Sequence, residues 1–548
     1  MSNHPSSFSE WQNYPSTLDP IHVAWLKNAK KSKTAFAVAD IEGIEISHKK
    51  FLTGVLLFSQ KIKVYSPEQN VGLLLPSSGG GAIASIAILS LGKTLVNLNF
   101  TAGKKALSSA AKQAEVKHIY TSRKFLDKML ERGMDFETYF PDSKLLMLED
   151  IREEISTLSR ISTLLKAILL PTSMIQKSYF KDVSMNDTAA ILFSSGSEGS
   201  PKGVELSHSN IAANAKQAAI ELGAVESDVI MSTLPTFHAF GFAITTLMPL
   251  SEGIPIVCHA DPKDVTTIAS GIKKYSGTIL VGTPTFLRMY TVSKKVTSES
   301  MQSLRLVVAG AEKLRSDVRD GFEAKFKMPV YEGYGTTETS PGASVNLPDI
   351  ESPYKLRNRP GTVGKAFSGT EFKIVDPDSI EPLPTGEDGL ILIGGPQIMK
   401  GYLKMPEKTA EVIELIDGYR WYRTGDKGHL DEDGFLTIVD RYSRFAKIGG
   451  EMISLTTVEE EILEVCNDKD LEIAATCLPD QRKGEKIVLL ATNNNLDKNQ
   501  LKKLLSDAKV NPLYYPAQVL KVEEIPKLGS GKTDFGATKK IALVNEQK

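Results

Sequence analysis

Apolar and polar positions organise the early chain around one uncharged stretch. Residues 69–92 contain no Asp, Glu, Lys or Arg, a length that on hydropathy alone could reach across a bilayer. The run is broken midway by Pro76-Ser77-Ser78-Gly79-Gly80-Gly81. That break divides it into a buried strand at 71–75 and a helix at 82–91, with the next strand at 94–98. Parallel strands covered on both faces give near-continuous apolar runs, so the pattern predicts a βαβ unit rather than a membrane span. The same rhythm recurs at 189–193, which enters a Ser/Gly loop, and at 278–281, which ends at Gly282-Thr283-Pro284-Thr285. It returns at 304–309 before Gly310-Ala311-Glu312-Lys313, and at 330–331 before Glu332-Gly333-Tyr334-Gly335. Helical periodicity fills the intervals: over 211–222, Ile211, Ala215, Ala218, Ala219 and Leu222 share a face, with Ser209 or Asn210 as cap.

Strands alternating with helices predict an α/β fold with parallel sheets, whose ligand loops gather at the carboxyl ends of the strands. From about 361 to 440 the pattern changes to short strands with turns such as Asp431-Glu432-Asp433-Gly434, which predicts a small antiparallel, barrel-like region. Beyond Asp440-Arg441 come a helix near 458–465, strands near 473–478 and 487–491, a helix near 500–508 and a strand near 518–522. The expected architecture is a large N-terminal domain (1–440) of parallel-sheet αβ subdomains plus a small β-barrel, then a small, mobile α+β C-terminal domain (441–548). A chain of 548 residues exceeds one ordinary core, which agrees with division into units. Residues 161–175 are apolar around Lys166, with Arg160 and Lys177 at the flanks. This stretch reads either as a helix packed on the domain or as one lying on a bilayer surface.

Composition narrows the class. With 41% hydrophobic and 24% charged residues and a formal net charge of −1, the chain reads as a globular enzyme with no pull towards nucleic acid. Cys258, Cys466 and Cys477 are scattered, without a CxxC pair or a histidine cluster. Neither a disulfide framework nor structural zinc is expected, and a reducing, cytoplasmic setting fits. The first 18 residues are polar, with neither a positive end nor an apolar run, so a secretory signal is not expected there.

Candidate chemistry sits in the loop Ser194-Ser195-Gly196-Ser197-Glu198-Gly199-Ser200-Pro201-Lys202-Gly203. Hydroxyls and free backbone N–H groups donate to phosphate oxygens, glycines let the backbone approach closely, and Lys202 adds a mobile cation. It is not a Walker loop, because Pro201 precedes the lysine and the chain continues extended through Gly203-Val204-Glu205-Leu206. A second mimic, Gly529-Ser530-Gly531-Lys532-Thr533, has Pro526 where the first glycine should stand. A lysine on a Gly/Ser tether reads instead as an element that swings in. Glu198 is the odd member of the first loop, since a carboxylate there should repel polyphosphate.

Taken in order, the motifs resemble the adenylate-forming superfamily of acyl-CoA synthetases, luciferases and peptide-synthetase adenylation domains. They are the loop at 194–203, Leu234-Pro235-Thr236-Phe237-His238, Tyr334-Gly335-Thr336-Thr337-Glu338, Tyr422-Arg423-Thr424-Gly425-Asp426, Arg441 and Lys532. Within it, Ser197-Glu198, Asn99-Phe100-Thr101-Ala102-Gly103, 121–128, 308–314 and 444–452 resemble the bacterial acyl-[acyl-carrier-protein] synthetases. Those form the synthetase half of bifunctional 2-acylglycerophosphoethanolamine acyltransferases. His259 and Asp264 match the His-x-x-x-x-Asp spacing of the acyltransferase half, but they lie inside the adenylating region and read as a chance match.

The resemblance implies ATP and Mg²⁺ as cofactors, a fatty acid as substrate, and holo-acyl carrier protein, or CoA, as thiol acceptor. Peripheral contact with the inner face of the cell membrane accompanies that reading. It implies that Ser194, Ser195, Gly196, Ser197, Glu198, Gly199 and Lys202 hold phosphates, and that Tyr334 stacks on adenine beside Gly310, Ala311 and Glu312. Gly335 and Thr336 complete the nucleotide site, Asp426 binds ribose with Arg441, Thr337 donates to the α-phosphate and Glu338 holds the metal. Lys532, on the loop 526–534, bridges the carboxylate and the α-phosphate. His238 gates the thiol path, Arg444 is the pivot of a hinge near 441–444, and Gly449 and Gly450 line the thiol tunnel. A CoA ligase and a non-catalytic lipid- or nucleotide-binding relative stand as alternatives, and acyl chain length and oligomeric state stay open.

Overall fold

The uncharged run folds as its punctuation dictates. In the computed structural model, which describes residues 5, 7–32, 34–194, 201–351, 354–448, 451–468, 470–480, 484–492, 496–529 and 531–546, Asn70–Leu73 is a strand and Gly79–Ser90 a buried helix. Ser78 caps that helix by accepting from Gly81 N–H at 3.2 Å. The next strand, Thr94–Asn97, returns parallel to the first. The glycines of the break fall inside the first turn of the helix rather than before it.

Two parallel-cored sheets result. One has seven strands in the spatial order Gly401–Tyr402, Lys202–Ser207, Thr188–Ser194, Thr94–Asn97, Asn70–Leu73, His118–Thr121 and Lys144–Met147. The other has nine, and its parallel core runs Tyr331–Gly335, Leu306–Ala309, Ile279–Gly282, Ile230–Ser232, Ile256–Cys258 and Val38–Asp40. A third, antiparallel sheet of Glu371–Val375, Gly389–Gly394, Ile413–Ile416, Tyr419–Leu430 and Leu436–Arg441 forms the half-barrel expected after residue 361. The fold class is therefore the α/β arrangement read from the pattern.

After Arg441 the chain builds a separate sheet from Phe445–Ile448, Glu451–Ser454, Ile473–Asp480, Gly484–Ala491 and Gln518–Lys521. Leu455–Cys466 and Lys498–Asp507 close one face, where Val458, Ile462, Leu501 and Leu505 are buried. The other face is covered by Phe535–Glu546, whose Ala542 packs with Ala474, Leu478, Val488 and Leu490.

Three local readings need correction. The helix His208–Glu221 is capped by Ser207, in a reciprocal box with Asn210, and not by Ser209 or Asn210. Ser207, two residues before Ser209, wins because its hydroxyl reaches the N3 amide at 3.0 Å. The apolar stretch 161–175 is not continuous: Pro171 divides it into Thr157–Leu169 and Thr172–Tyr179. Helices at Ile21–Lys31, His48–Tyr65 and Phe535–Glu546 were not assigned from the pattern.

Candidate active site

The carboxyl ends of the two parallel cores and one end of the half-barrel supply the site. Asp426 lies in Tyr419–Leu430, and the ladder registers it opposite Arg441, the last residue of Leu436–Arg441. Arg441 Nε consequently lies 3.0 Å from Asp426 Oδ1, and the Tyr334 hydroxyl donates to Asp426 Oδ2. The carboxylate is 2% exposed, and its backbone N–H donates to Thr424 Oγ1 at 2.9 Å. Burial, then the Asp426 charge, push the Tyr334 pKa well up, so the phenol remains a donor.

Tyr334 is followed by a glycine because the backbone folds back on itself: a Cβ at Gly335 would fall 1.7 Å from Pro341 O. Beyond Thr336 the turn Thr337–Thr339 buries Glu338. The Tyr402 hydroxyl donates to Glu338 Oε1 at 2.9 Å. Across the Tyr402 ring, Lys202 Nζ lies 5.4 Å from the centroid. Tyr402 thus joins the lysine of the Ser/Gly loop to the Glu338 carboxylate.

On the other side, Leu306–Ala309 delivers Gly310, Ala311 and Glu312. A Cβ at Gly310 would come 2.8 Å from Phe240 Cε1. Ala311 has φ +74°, a left-handed conformation that costs a non-glycine residue ~1 kcal/mol and collects at ligand-facing turns. Glu312 accepts from Thr285 Oγ1 at 2.9 Å, and burial raises its pKa.

Lys532 arrives on a tight turn in which Leu528 N–H donates to Lys532 O at 2.7 Å and Gly531 has φ +90°. Burial, then the Arg441 charge, lower its pKa to about 8, against the opposing pull of Glu312, Asp426 and Glu338. His238 is pushed down to about 3 by burial and then by Lys532, so its imidazole is neutral. With Leu234, Pro235, Phe240, Thr283 and Ala311 it lines a small internal cavity.

The structure therefore brings Lys202, His238, Gly310, Ala311, Glu312, Tyr334, Gly335, Thr336, Thr337, Glu338, Asp426, Arg441 and Lys532 to one region. Ser194 ends its strand beside Lys202, with Ser194 Oγ donating to Lys202 O at 3.4 Å. Ser195, Gly196, Ser197, Glu198, Gly199, Gly449 and Gly450 lie outside the described residues. Arg444 stands apart from the cluster. It pairs with Glu459 at 2.8 Å, and its guanidinium lies 3.7 Å from the centroid of the Phe535 ring.

A family model for AMP-binding enzymes matches residues 25–403. The chain belongs to the AMP-binding enzyme family. Among curated relatives, 4-coumarate–CoA ligase 3 of Oryza sativa subsp. japonica is 32% identical over 64% of this chain and 63% of its own length. This match spans less than two thirds of the rice enzyme. 4-Coumarate–CoA ligase 2 of Nicotiana tabacum is 29% identical over 91% of this chain and 88% of its own. ATP-bound MatB of Rhodopseudomonas palustris shares the fold, with a TM-score of 0.77 and 23% identity over 95% of this chain and 98% of that one.

This AMP-binding enzyme uses ATP with Mg²⁺. Its residues fit both. Among the described residues no group of three or more His, Cys, Asp or Glu could cage a metal. Mg²⁺ is a hard ion commonly held by one or two carboxylates together with substrate phosphates. Glu338 is the carboxylate that would hold it here: its Oε1 takes the Tyr402 hydrogen bond, and its second oxygen would face the ion. When bound, Mg²⁺ neutralises phosphate charge.

Sequence reasoning missed Tyr402 and Thr285. Tyr402 ends the two-residue strand Gly401–Tyr402, where an aromatic residue carries no chemical signal. Thr285 reads in the sequence as loop punctuation; its contact with Glu312 depends on two parallel strands being neighbours, which spacing does not reveal.

Proposed function

We propose that the enzyme activates a fatty acid as acyl-AMP and passes the acyl group to the phosphopantetheine thiol of acyl carrier protein. The observation that carries the first half is Lys532, seated beside Glu312, Asp426, Glu338 and Arg441. In that step a carboxylate oxygen attacks the α-phosphorus, the α–β anhydride bond breaks and pyrophosphate leaves. Lys532 offsets the charge of two anions brought together, where a positioned cation contributes most. Tyr334 and the Asp426–Arg441 pair serve adenosine, and Lys202 and Thr337 serve the phosphates.

In the second step the thiol sulfur attacks the acyl carbonyl carbon, the thiol proton is lost and AMP departs. Neutral His238 suits a passage that must admit an uncharged arm. Residues 1–440 and 441–548 act as two units pivoting near 441–444, with Arg444 at the pivot, so that Lys532 withdraws and Gly449 and Gly450 line the tunnel.

An apolar acid is favoured by the helix Phe240–Leu247, which follows His238, contains no charged residue, and buries Phe242, Ala243, Ile244 and Leu247. Acyl carrier protein as acceptor rests on the resemblance of the Ser197-Glu198 pair and the 444–452 segment. CoA is the second reading, favoured by the names of the curated relatives. Offering ATP and a labelled long-chain fatty acid with either holo-carrier protein or CoA tests the proposal. Label on the carrier protein is expected; label on CoA alone selects the second reading, and no acid-dependent ATP–pyrophosphate exchange rejects both.

A further inference from the structure

Among the described residues seventeen large hydrophobic side chains are exposed, and six of them fall between residues 158 and 174. Leu158, Ile161, Leu165, Ile168 and Leu169 are 77, 52, 51, 42 and 74% exposed. At 3.6 residues per turn these five occupy an arc of about 100° on Thr157–Leu169. Met174, 51% exposed, continues the patch on the next helix, Thr172–Tyr179.

The helix is firmly held on its other side. Ser156 caps it by accepting from Ser159 N–H at 3.2 Å. Lys30 Nζ closes its far end, donating to Ala167 O at 2.7 Å and Ile168 O at 3.0 Å. Thr163, Ala167, Ile175 and Tyr179 are the residues these two helices bury. Packing is thus satisfied by small and inward-facing positions, and the outer leucines and isoleucines contribute nothing to the core. A contiguous apolar face of this kind marks a contact surface.

Charge selects the partner. Residues 155–181 carry Arg160, Lys166, Lys177 and Lys181 and no Asp or Glu. A second copy docked two-fold on this patch would set cations against the same cations. An anionic lipid surface complements both the apolar stripe and its basic border. Among the described residues no helix is long and apolar enough to cross a membrane, so contact would be within the plane of the interface. We infer that Thr157–Leu169, continued by Thr172–Tyr179, docks the enzyme on the surface of an anionic bilayer.

The test is co-sedimentation of the full chain with phosphatidylcholine vesicles, with and without phosphatidylglycerol. Sedimentation with the anionic vesicles is expected, weakening as salt rises. Leu158→Ser/Leu165→Ser/Leu169→Ser should lower partitioning by on the order of tenfold or more, and Lys166→Gln/Lys177→Gln should remove the preference for anionic lipid. Both variants should keep ATP–pyrophosphate exchange with a water-soluble acid, which shows that they fold. The inference is overturned if the parent chain stays in the supernatant, or if the triple variant sediments equally well. It is also overturned if the triple substitution dissociates a dimer of a parent that never bound vesicles, which would assign the patch to a second copy.

Discussion

Replacing Gly529 by alanine should lower acyl-AMP formation on the order of 10²-fold while sparing the second half-reaction. Gly529 sits in the turn that carries Lys532, and a Cβ there would lie 1.9 Å from Thr101 Oγ1 and 2.4 Å from both Thr101 Cβ and Cγ2. Ordinary carbon contacts begin near ~3.5 Å, so one side must move by about 1 Å to clear the Thr101 carbons. Rotation of the threonine cannot clear the clash, because its Cβ does not move on rotation. The loop is the part that yields, since Thr101 is fixed by its hydroxyl donating to Asn99 Oδ1 at 2.6 Å. Misplacing a catalytic group by ~1 Å can cost 10²-fold in rate, so adenylation should fall on the order of 10²-fold, or ~2.7 kcal/mol.

Two assays separate the cause. Acid-dependent ATP–pyrophosphate exchange reports the first half-reaction, and thioester formation from supplied acyl-AMP reports the second, in which Lys532 is proposed to be withdrawn. Gly529→Ala should lower only the first. The double variant Thr101→Gly/Gly529→Ala removes the obstructing side chain and should recover most of the exchange rate. Unchanged exchange in the single variant, or no recovery in a folded double variant, would refute the steric account.

Other expectations follow from the same geometry. Lys532→Ala should lose acyl-AMP formation by on the order of 10²–10³-fold yet keep transfer from supplied acyl-AMP; equal loss of both steps would remove Lys532 from its assigned role. Its pKa is lowered to about 8 and the cation is the working form, so kcat/KM for exchange should fall as pH rises through about 8, and a flat profile to pH 9.5 would count against this. Glu338→Gln should raise the Mg²⁺ concentration for half-maximal exchange by roughly tenfold or more, measured by metal titration at fixed ATP. Buried His22 and His208, with pKa values of about 3 and about 4 against 6.5 in the unfolded chain, are neutral in the fold. Their contribution is complete above pH 6.5 and is lost on acidification at ~1.4 kcal/mol per pH unit each, until the folded values are reached. His22→Phe should therefore lessen the drop in urea midpoint between pH 7 and pH 5.

Strand and loop punctuation was legible because each parallel strand is covered on both faces and ends at a ligand loop. Asn70–Leu73, Thr94–Asn97 and Leu306–Ala309 come within a residue or two of where the apolar runs placed them. Phe535–Glu546 was not legible: its buried positions reduce to Thr538 and Ala542, too small to print an apolar period. In the site, residues in conspicuous motifs could be read one at a time, whereas Tyr402 and Thr285 become functional only through neighbours 64 and 27 positions away. Long-range pairing is what local pattern omits. The split at Pro171 is legible in principle, since proline interrupts a helix, and it assigns the exposed stripe to two helices rather than one.

Asp440 sharpens how the nucleotide site and the C-terminal unit communicate. Asp440 immediately precedes Arg441 and is buried, at 6% exposure. Its Oδ2 accepts from Ser454 Oγ at 2.6 Å and from Thr456 N–H at 3.1 Å, at the cap of Leu455–Cys466. The adjacent Arg441 holds Asp426 from the same strand end. One backbone step thus joins the nucleotide-facing guanidinium to the first helix of the C-terminal unit. Rotation about 441–444 that withdraws Lys532 must either carry the Asp440–Ser454 contact along or break it. Asp440→Gly would remove the tether, and with it the bond that Asp440 Oδ1 accepts from Arg441 N–H at 2.7 Å, while leaving the Arg441 side chain in place. If the contact breaks during turnover, this variant should speed thioester formation from supplied acyl-AMP relative to exchange. An unchanged ratio would mean that the contact is carried along intact, which would put the pivot before Asp440 rather than at Arg444.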